Sequence, residues 1–237
     1  VVTGKVITVH AAEDPPVDTW HGSIFLAGPN PRQPEVPSWR PEAVDILRQL
    51  WTGPGTLAVF VPEGAGYQPL SYDRHEWETR WLSTVDVIAF WVPRNMKTMP
   101  ALNTNIEFGR WESSGRMVFG APPEAKHVGY MRECAQRHQG PTASTLKDTM
   151  AAAISLIGDG AERSGGQRDV PLILWRTTGF ADWLTEQQDR GRVLASARLL
   201  WSDSSGHGQI ERWVLRASFG QSDETHIGTS HNNLPPA

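Results

Sequence analysis

The sequence predicts an α/β fold: an open, mostly parallel five-stranded sheet with helices on both faces, followed by a small α+β appendage. Two observations carry this. Short apolar runs, led by Ser23–Gly28, Leu57–Pro62 and Val85–Val92, are nearly unbroken, as in strands buried on both faces. The segments between them have helical apolar spacing, and strands alternating with helices at this interval imply parallel crossovers.

Residues 1–20, with the adjacent Pro15 and Pro16, read as a lead-in with an edge strand at Lys5 to Val9. The main domain is expected over 21–157. Ser23–Gly28 is its first strand and closes in the turn Gly28-Pro29-Asn30-Pro31-Arg32. Trp39 to Leu50 is the first helix, with apolar residues at Ala43, Ile46, Leu47 and Leu50 and Pro41 suited to a first turn. After the second strand, Leu57–Pro62, a Gly-containing loop leads to a helix over Asp73 to Leu82, with Asp73 as N-cap. The third strand, Val85–Val92, is followed by a helix over about Thr104 to Ser113. Two more strands are expected, at Arg116–Gly120 and Lys126–Tyr130, and a last helix at Ala143–Ile157. The Gly-rich segment 158–169 has linker composition. Residues 170–219 form the appendage: a strand at Val170–Trp175, a helix at Gly179–Gln188, and strands at Val193–Trp201 and Gln209–Ser218. The polar tail 220–237 is expected to be disordered.

Composition narrows the function. At 237 residues the chain can hold one large domain and an appendage. A net charge of −4 provides no basic field for duplex nucleic acid or an anionic membrane, so the expected partner is a small molecule. No apolar run approaches a membrane span and the first residues lack a signal-peptide layout, which makes the cytoplasm the simplest address. Cys134 is the single cysteine, the eight histidines show no metal-ligand spacing, and Gly53-Pro54-Gly55 precedes a strand where a nicotinamide fingerprint would follow one. No metal or cofactor is therefore expected. Eleven tryptophans, Trp77 and Trp91 among them, can wall a planar ligand or simply fill the core.

The strongest functional signal is Asn103-Thr104-Asn105-Ile106-Glu107-Phe108-Gly109 after the third strand. In such sheets ligands bind at the carboxyl ends of the strands, where the loops 28–32, 63–73 and 93–105 converge, and Glu107 is expected to project into that crevice. Its alternative role is that of a dipole partner in a first helical turn. Asn103 and Asn105 suit sugar hydroxyls or a base edge, or else cap the helix.

In order and spacing, Ile24-Phe25-Leu26-Ala27-Gly28-Pro29, Asp86-Val87-Ile88-Ala89-Phe90 and the Asn103–Gly109 stretch resemble the nucleoside 2-deoxyribosyltransferase-like family. The resemblance covers roughly residues 22 to 138. It implies a flavodoxin-like sheet and cleavage of an N-glycosidic bond of a nucleoside or nucleoside 5′-monophosphate, by transfer or hydrolysis, with Glu107 as nucleophile. A carboxylate beneath the sugar can trap or stabilise the oxocarbenium-like state, and a nearby acid can protonate the leaving base.

Many members carry an acidic residue six positions before the nucleophile, where this chain has Ala101. Glu76 and Glu78 are the substitutes, and Glu78 is preferred because its neighbour Trp77 can stack on a base while Glu78 meets its edge. Backbone approach to the ligand is expected at Gly28, Pro29 and Asn30. Arg32 and Arg40 flank the loop where related nucleotide-cleaving enzymes meet a 5′-phosphate. Asp86 heads its strand at the amino end and reads as structural. Family members often complete each other's sites, which implies a homo-oligomer. The rival readings are cleavage of the nicotinamide bond of NAD at the same site, and a non-catalytic nucleotide sensor reporting through the appendage.

Overall fold

A computed structural model describes residues 4–17, 19–52, 55–67, 75–138, 140–157, 163–164, 178–192, 196–204, 210–218 and 223–229. It divides into two compact units, residues 1–167 and 168–237.

The first unit is built on β1 (Lys5–His10), β2 (Thr19–Trp20), β3 (Gly22–Ala27), α1 (Arg40–Leu50), β4 (Thr56–Val61), α2 (His75–Thr84), β5 (Val87–Trp91), α3 (Leu102–Trp111), β6 (Met117–Gly120), α4 (Gly129–Arg137), β7 (Thr142–Ala143), α5 (Leu146–Ile157) and β8 (Arg163–Ser164). Six strands form one sheet in the order β1-β4-β3-β5-β6-β7, and every neighbouring pair is parallel. From β3 onward the order is second, first, third, fourth, fifth, which is the flavodoxin-like arrangement with its switch point between β3 and β5. The central strands β3, β5 and β6 are buried at every position, as their unbroken apolar runs require.

One sheet edge carries the strand expected of the lead-in, one residue longer, and the other differs from the sequence expectation. The lead-in strand runs through His10 and pairs in register with β4, Lys5 opposite Thr56 through His10 opposite Val61, giving the sheet a sixth strand. At the other edge, the strand expected at Lys126–Tyr130 is absent. Gly129 instead opens α4, which buries Met131, Cys134 and Ala135 at i, i+3 and i+4. The edge strand is β7, whose two residues are too few to show a period.

Alternate side chains of the sheet feed two layers. Phe25, Phe60, Phe90 and Phe119 cluster with Trp81 and Leu82 of α2, Phe108 of α3 and Met131 and Cys134 of α4. On the opposite face α1 packs against α5. Asp86 ties the amino ends of β3 and β5: its Oδ2 accepts from the Ser23 N–H (2.8 Å) and hydroxyl (2.9 Å), and its own N–H donates to Ser23 Oγ (2.9 Å). Its structural reading fits this geometry. The N-cap expected at Asp73 lies outside the described residues, as does most of 158–169.

The second unit contains α6 (Thr178–Asp189) and an antiparallel sheet of β9 (Ser196–Ser204), β10 (Ile210–Ser218) and β11 (Asp223–Thr229), in the order β11-β10-β9. Strand β11 falls in the tail expected to be disordered. Its polar sequence conceals a backbone ladder with β10, from Arg212 opposite Thr229 to Ser218 opposite Asp223. The Trp183 indole N–H donates to His226 Nδ1 (3.3 Å), and Arg192 pairs with Glu224 (2.6 Å). The strand expected at Val170–Trp175 lies outside the described residues. No helix among the described residues is long and apolar enough to cross a membrane.

Candidate active site

The carboxyl ends of β3, β4 and β5 open onto the switch point, and the turn after β3 is shaped by close backbone approach. Gly28 has φ +150°, and a Cβ there would stand 2.2 Å from the Trp91 carbonyl oxygen and 2.9 Å from the Trp39 ring. Only glycine fits at that distance. The next residue, Pro29, is buried and its carbonyl accepts from the Trp39 indole N–H (3.1 Å). Asn30 and Arg32 are exposed, and the Arg32 N–H donates to the Thr98 carbonyl (2.9 Å), joining this turn to the loop after β5.

Arg40, the first residue of α1, is fully buried beneath the turn. Its guanidinium donates to Leu26 O (3.1 Å), Gly28 O (2.8 Å), Asn30 Oδ1 (2.7 Å) and Glu63 Oε1 (2.9 Å). The ring of Trp39 lies 4.6 Å from its Cζ. Glu63, just beyond β4, is also buried and accepts from the Ser38 hydroxyl through Oε2 (2.8 Å). Arg40 is thus a buried, ion-paired bracket of the crevice floor, in place of the solvent-facing phosphate contact expected of it.

Helix α3 brings Glu107 to this floor. The helix begins at Leu102, so Glu107 occupies its second turn and the role of first-turn dipole partner falls away. Thr104, Glu107, Phe108 and Trp111, at i, i+3, i+4 and i+7, form its inner stripe, while Asn105, Ile106 and Gly109 are exposed. Burial raises the Glu107 carboxyl to about 7, the charge of Glu78 pushes in the same direction, and Arg40 opposes both. Glu78 is half-buried on α2, three residues before the buried Trp81, whereas Glu76 is exposed. The two glutamates singled out in the sequence therefore interact electrostatically across the crevice. Arg40 feels both of them as well as Glu63.

The remaining expected site residues divide. Trp77 is half-buried against Phe25 (6.0 Å between ring centroids) and Phe60 (6.3 Å), with its indole N–H on the Glu13 carbonyl (2.8 Å). Asn103 is exposed one turn before Glu107 on the same flank of α3. Trp91 is buried beside Gly120, on the sheet face that α5 covers. Asn105 lies on the opposite flank of α3, where its Oδ1 accepts from the buried Arg94, whose other terminal nitrogen donates to the His127 carbonyl (2.7 Å). Neither asparagine caps α3: the N-cap is Ala101, in the left-handed region at φ 58°, without a side-chain cap bond.

Sequence reasoning missed Glu63 and Ser38. The available signal was a carboxylate directly after Pro62, at the carboxyl end of a predicted central strand. Among the described residues, no group of three or more His, Cys, Asp or Glu side chains is placed to hold a metal ion.

In doubly wound α/β units small ligands bind at the switch point of the strand order, here between β3 and β5. Residues 21–125 match the family model described as nucleoside 2-deoxyribosyltransferase like, a match that spans β3 through α3 with both glutamates and the Gly28 turn. Transfer or hydrolysis at an N-glycosyl bond is the chemistry that the family suggests. No curated protein matches the chain.

Proposed function

We propose that the crevice cleaves the C1′–N bond of a nucleoside or nucleoside 5′-monophosphate, with Glu107 as nucleophile and Glu78 as proton donor to the departing base. The observation that supports this reading is a pair of half-buried carboxylates, Glu78 on α2 and Glu107 on α3, that interact with each other and with the buried Arg40. Burial and the charge of Glu78 keep a proton on Glu107 up to about pH 7, and that proton passes to Glu78 as the substrate binds, leaving Glu107 ionised. The ionised Glu107 attacks C1′, an oxygen–carbon bond forms, and the electron pair of the C1′–N bond leaves with the base, which takes the proton from Glu78. Water then hydrolyses the glycosyl ester, or a second base displaces Glu107; which of them reaches C1′ decides between hydrolysis and transfer. Asn30, Arg32, Trp77 and Asn103 are the side chains that meet the ligand, with the backbone of Gly28 and Pro29.

The test is release of free base from a panel of nucleosides, 5′-monophosphates and NAD. Glu107→Ala is expected to lose at least about a thousandfold in kcat while its circular dichroism and melting transition are retained, because a covalent nucleophile has no substitute in the site. Undiminished turnover by that variant would refute the assignment. NAD as the preferred substrate would move the reading to the nicotinamide bond.

A further inference from the structure

The most heavily bonded charged side chain near the crevice, Arg40, takes no part in the chemistry proposed above. Three of its hydrogen bonds end on one short stretch, Leu26 to Asn30, and the fourth on Glu63. Glu63 is held in turn by Ser38, and the Ser38 oxygen accepts from the Arg40 backbone N–H (3.2 Å), which closes a ring of contacts around the guanidinium. A surface pair would be loose and screened; this one is excluded from solvent on both sides.

The consequence falls on Asn30. A guanidinium has donors only, so the face of the Asn30 amide that meets Arg40 must be its carbonyl oxygen. The amide cannot flip without setting N–H against N–H, and its NH2 group is fixed on the other side. Asn30 is exposed, and among the described residues its side chain makes no other hydrogen bond. Asn30 follows the Gly28 turn at the carboxyl end of β3, and the Arg32 N–H ties that turn to the Thr98 carbonyl (2.9 Å) in the loop leading to α3, so these donors stand at the strand ends where the crevice opens.

We propose that Arg40, braced by Glu63 and Ser38, is a positioning residue that locks the Asn30 amide as an obligate hydrogen-bond donor to an oxygen of the substrate's sugar or 5′ end. The proposal rests on the glycosidic reading for the identity of the substrate, but its geometry does not depend on the reaction. Arg40 selects by orientation: a ligand presenting an acceptor opposite Asn30 is bound, and one presenting only a donor leaves two N–H groups unmet.

The deciding variant is Asn30→Asp in the full chain. Aspartate has the same shape and keeps an oxygen for Arg40, so a purely structural Asn30 would be replaced without loss or with a gain in melting temperature. The lost donors are expected to raise KM for base release about tenfold or more with kcat less affected. If the acceptor is a phosphate oxygen, the loss is larger for the 5′-monophosphate than for the nucleoside, since the new carboxylate repels it; a sugar hydroxyl gives equal losses. Arg40→Lys, which keeps the charge but not the fork, is expected to raise KM in the same sense. A KM for Asn30→Asp within twofold of the wild type overturns the proposal. Should the wild type release no base from any substrate, the glycosidic reading fails separately. Equilibrium binding of the nucleoside 5′-monophosphates then decides: tighter binding by wild type than by Asn30→Asp supports the lock, and equal or undetectable binding by both overturns it.

Discussion

At the scale of single residues, the charge state of Glu107 links the fold to the chemistry. Its carboxyl is raised from 4.5 to about 7 by burial first and by Glu78 second. In the unfolded chain the group ionises near its ordinary value, so between about 4.5 and 7 the folded state holds a proton that the unfolded state has lost. Stability is therefore highest below that window, falls as pH rises through about 7, and stays lower above it. Glu107→Gln removes the penalty: it is expected to stabilise the chain by about 1–3 kcal/mol at pH 8 and by little at pH 4.5, measured by urea unfolding at both values. A nucleophile must be ionised, so the acid limb of the wild-type kcat/KM profile is expected near pH 7, and Glu78→Gln, which removes the like charge, should move it downward. A stabilisation equal at both pH values would show that Glu107 is not strained by charge in the fold. Helical spacing and motif order, which are local properties, pointed to Glu107 and Glu78, and the two are half-buried and coupled electrostatically. The sequence did not reveal the burial of Arg40 or its pairing with Glu63, because those residues are brought together by the neighbouring strands β3 and β4 and adjoin no common motif.

At the scale of elements, the two ends of the parallel strands have separate duties. The carboxyl ends of β3, β4 and β5 carry the Gly28 turn, Glu63 and the loop that leads to α3, while the amino ends of β3 and β5 are tied by Ser23 and Asp86. Asp86→Ala leaves the buried Ser23 donors unmet and removes a charge that supports the buried Arg116. It should cost about 2–4 kcal/mol and lower the melting temperature, with KM unchanged, because the deleted carboxylate lies at the opposite edge from the crevice. A shift in KM without loss of stability would contradict that division. Elements with long apolar patterns were legible: β3, β4, β5, α1 and α5 lie where periodicity placed them, to within a few residues. The missed elements lacked such patterns. β7 has two residues, β11 is polar, and the stretch around Val128 carries strand-forming residues whose backbone α4 claims by burying Met131, Cys134 and Ala135.

At the scale of the whole molecule, every group assigned to the proposed chemistry lies within residues 1–167. That unit contains the six-stranded sheet, its two covering layers and the full bracket around Arg40. Its edge strand β1 precedes the family segment, yet all six of its residues pair with β4, so a chain trimmed to residue 21 would uncover the edge of a nearly fully buried strand. The autonomous unit is therefore expected to begin with β1 and end near Gln167. A variant comprising residues 1–167 should unfold in one cooperative transition and retain kcat/KM for base release within about threefold of the full chain, a difference of less than about 1 kcal/mol in transition-state stabilisation. The comparison requires both proteins to be assayed on the same substrate and over a range of protein concentrations, because activity that falls on dilution would show that copies of the chain complete one another's crevices. If the shortened chain folds but releases no base while the full chain does, the unit formed by α6 and β9–β11 supplies a group that the reaction needs, and the crevice on the larger unit is insufficient by itself.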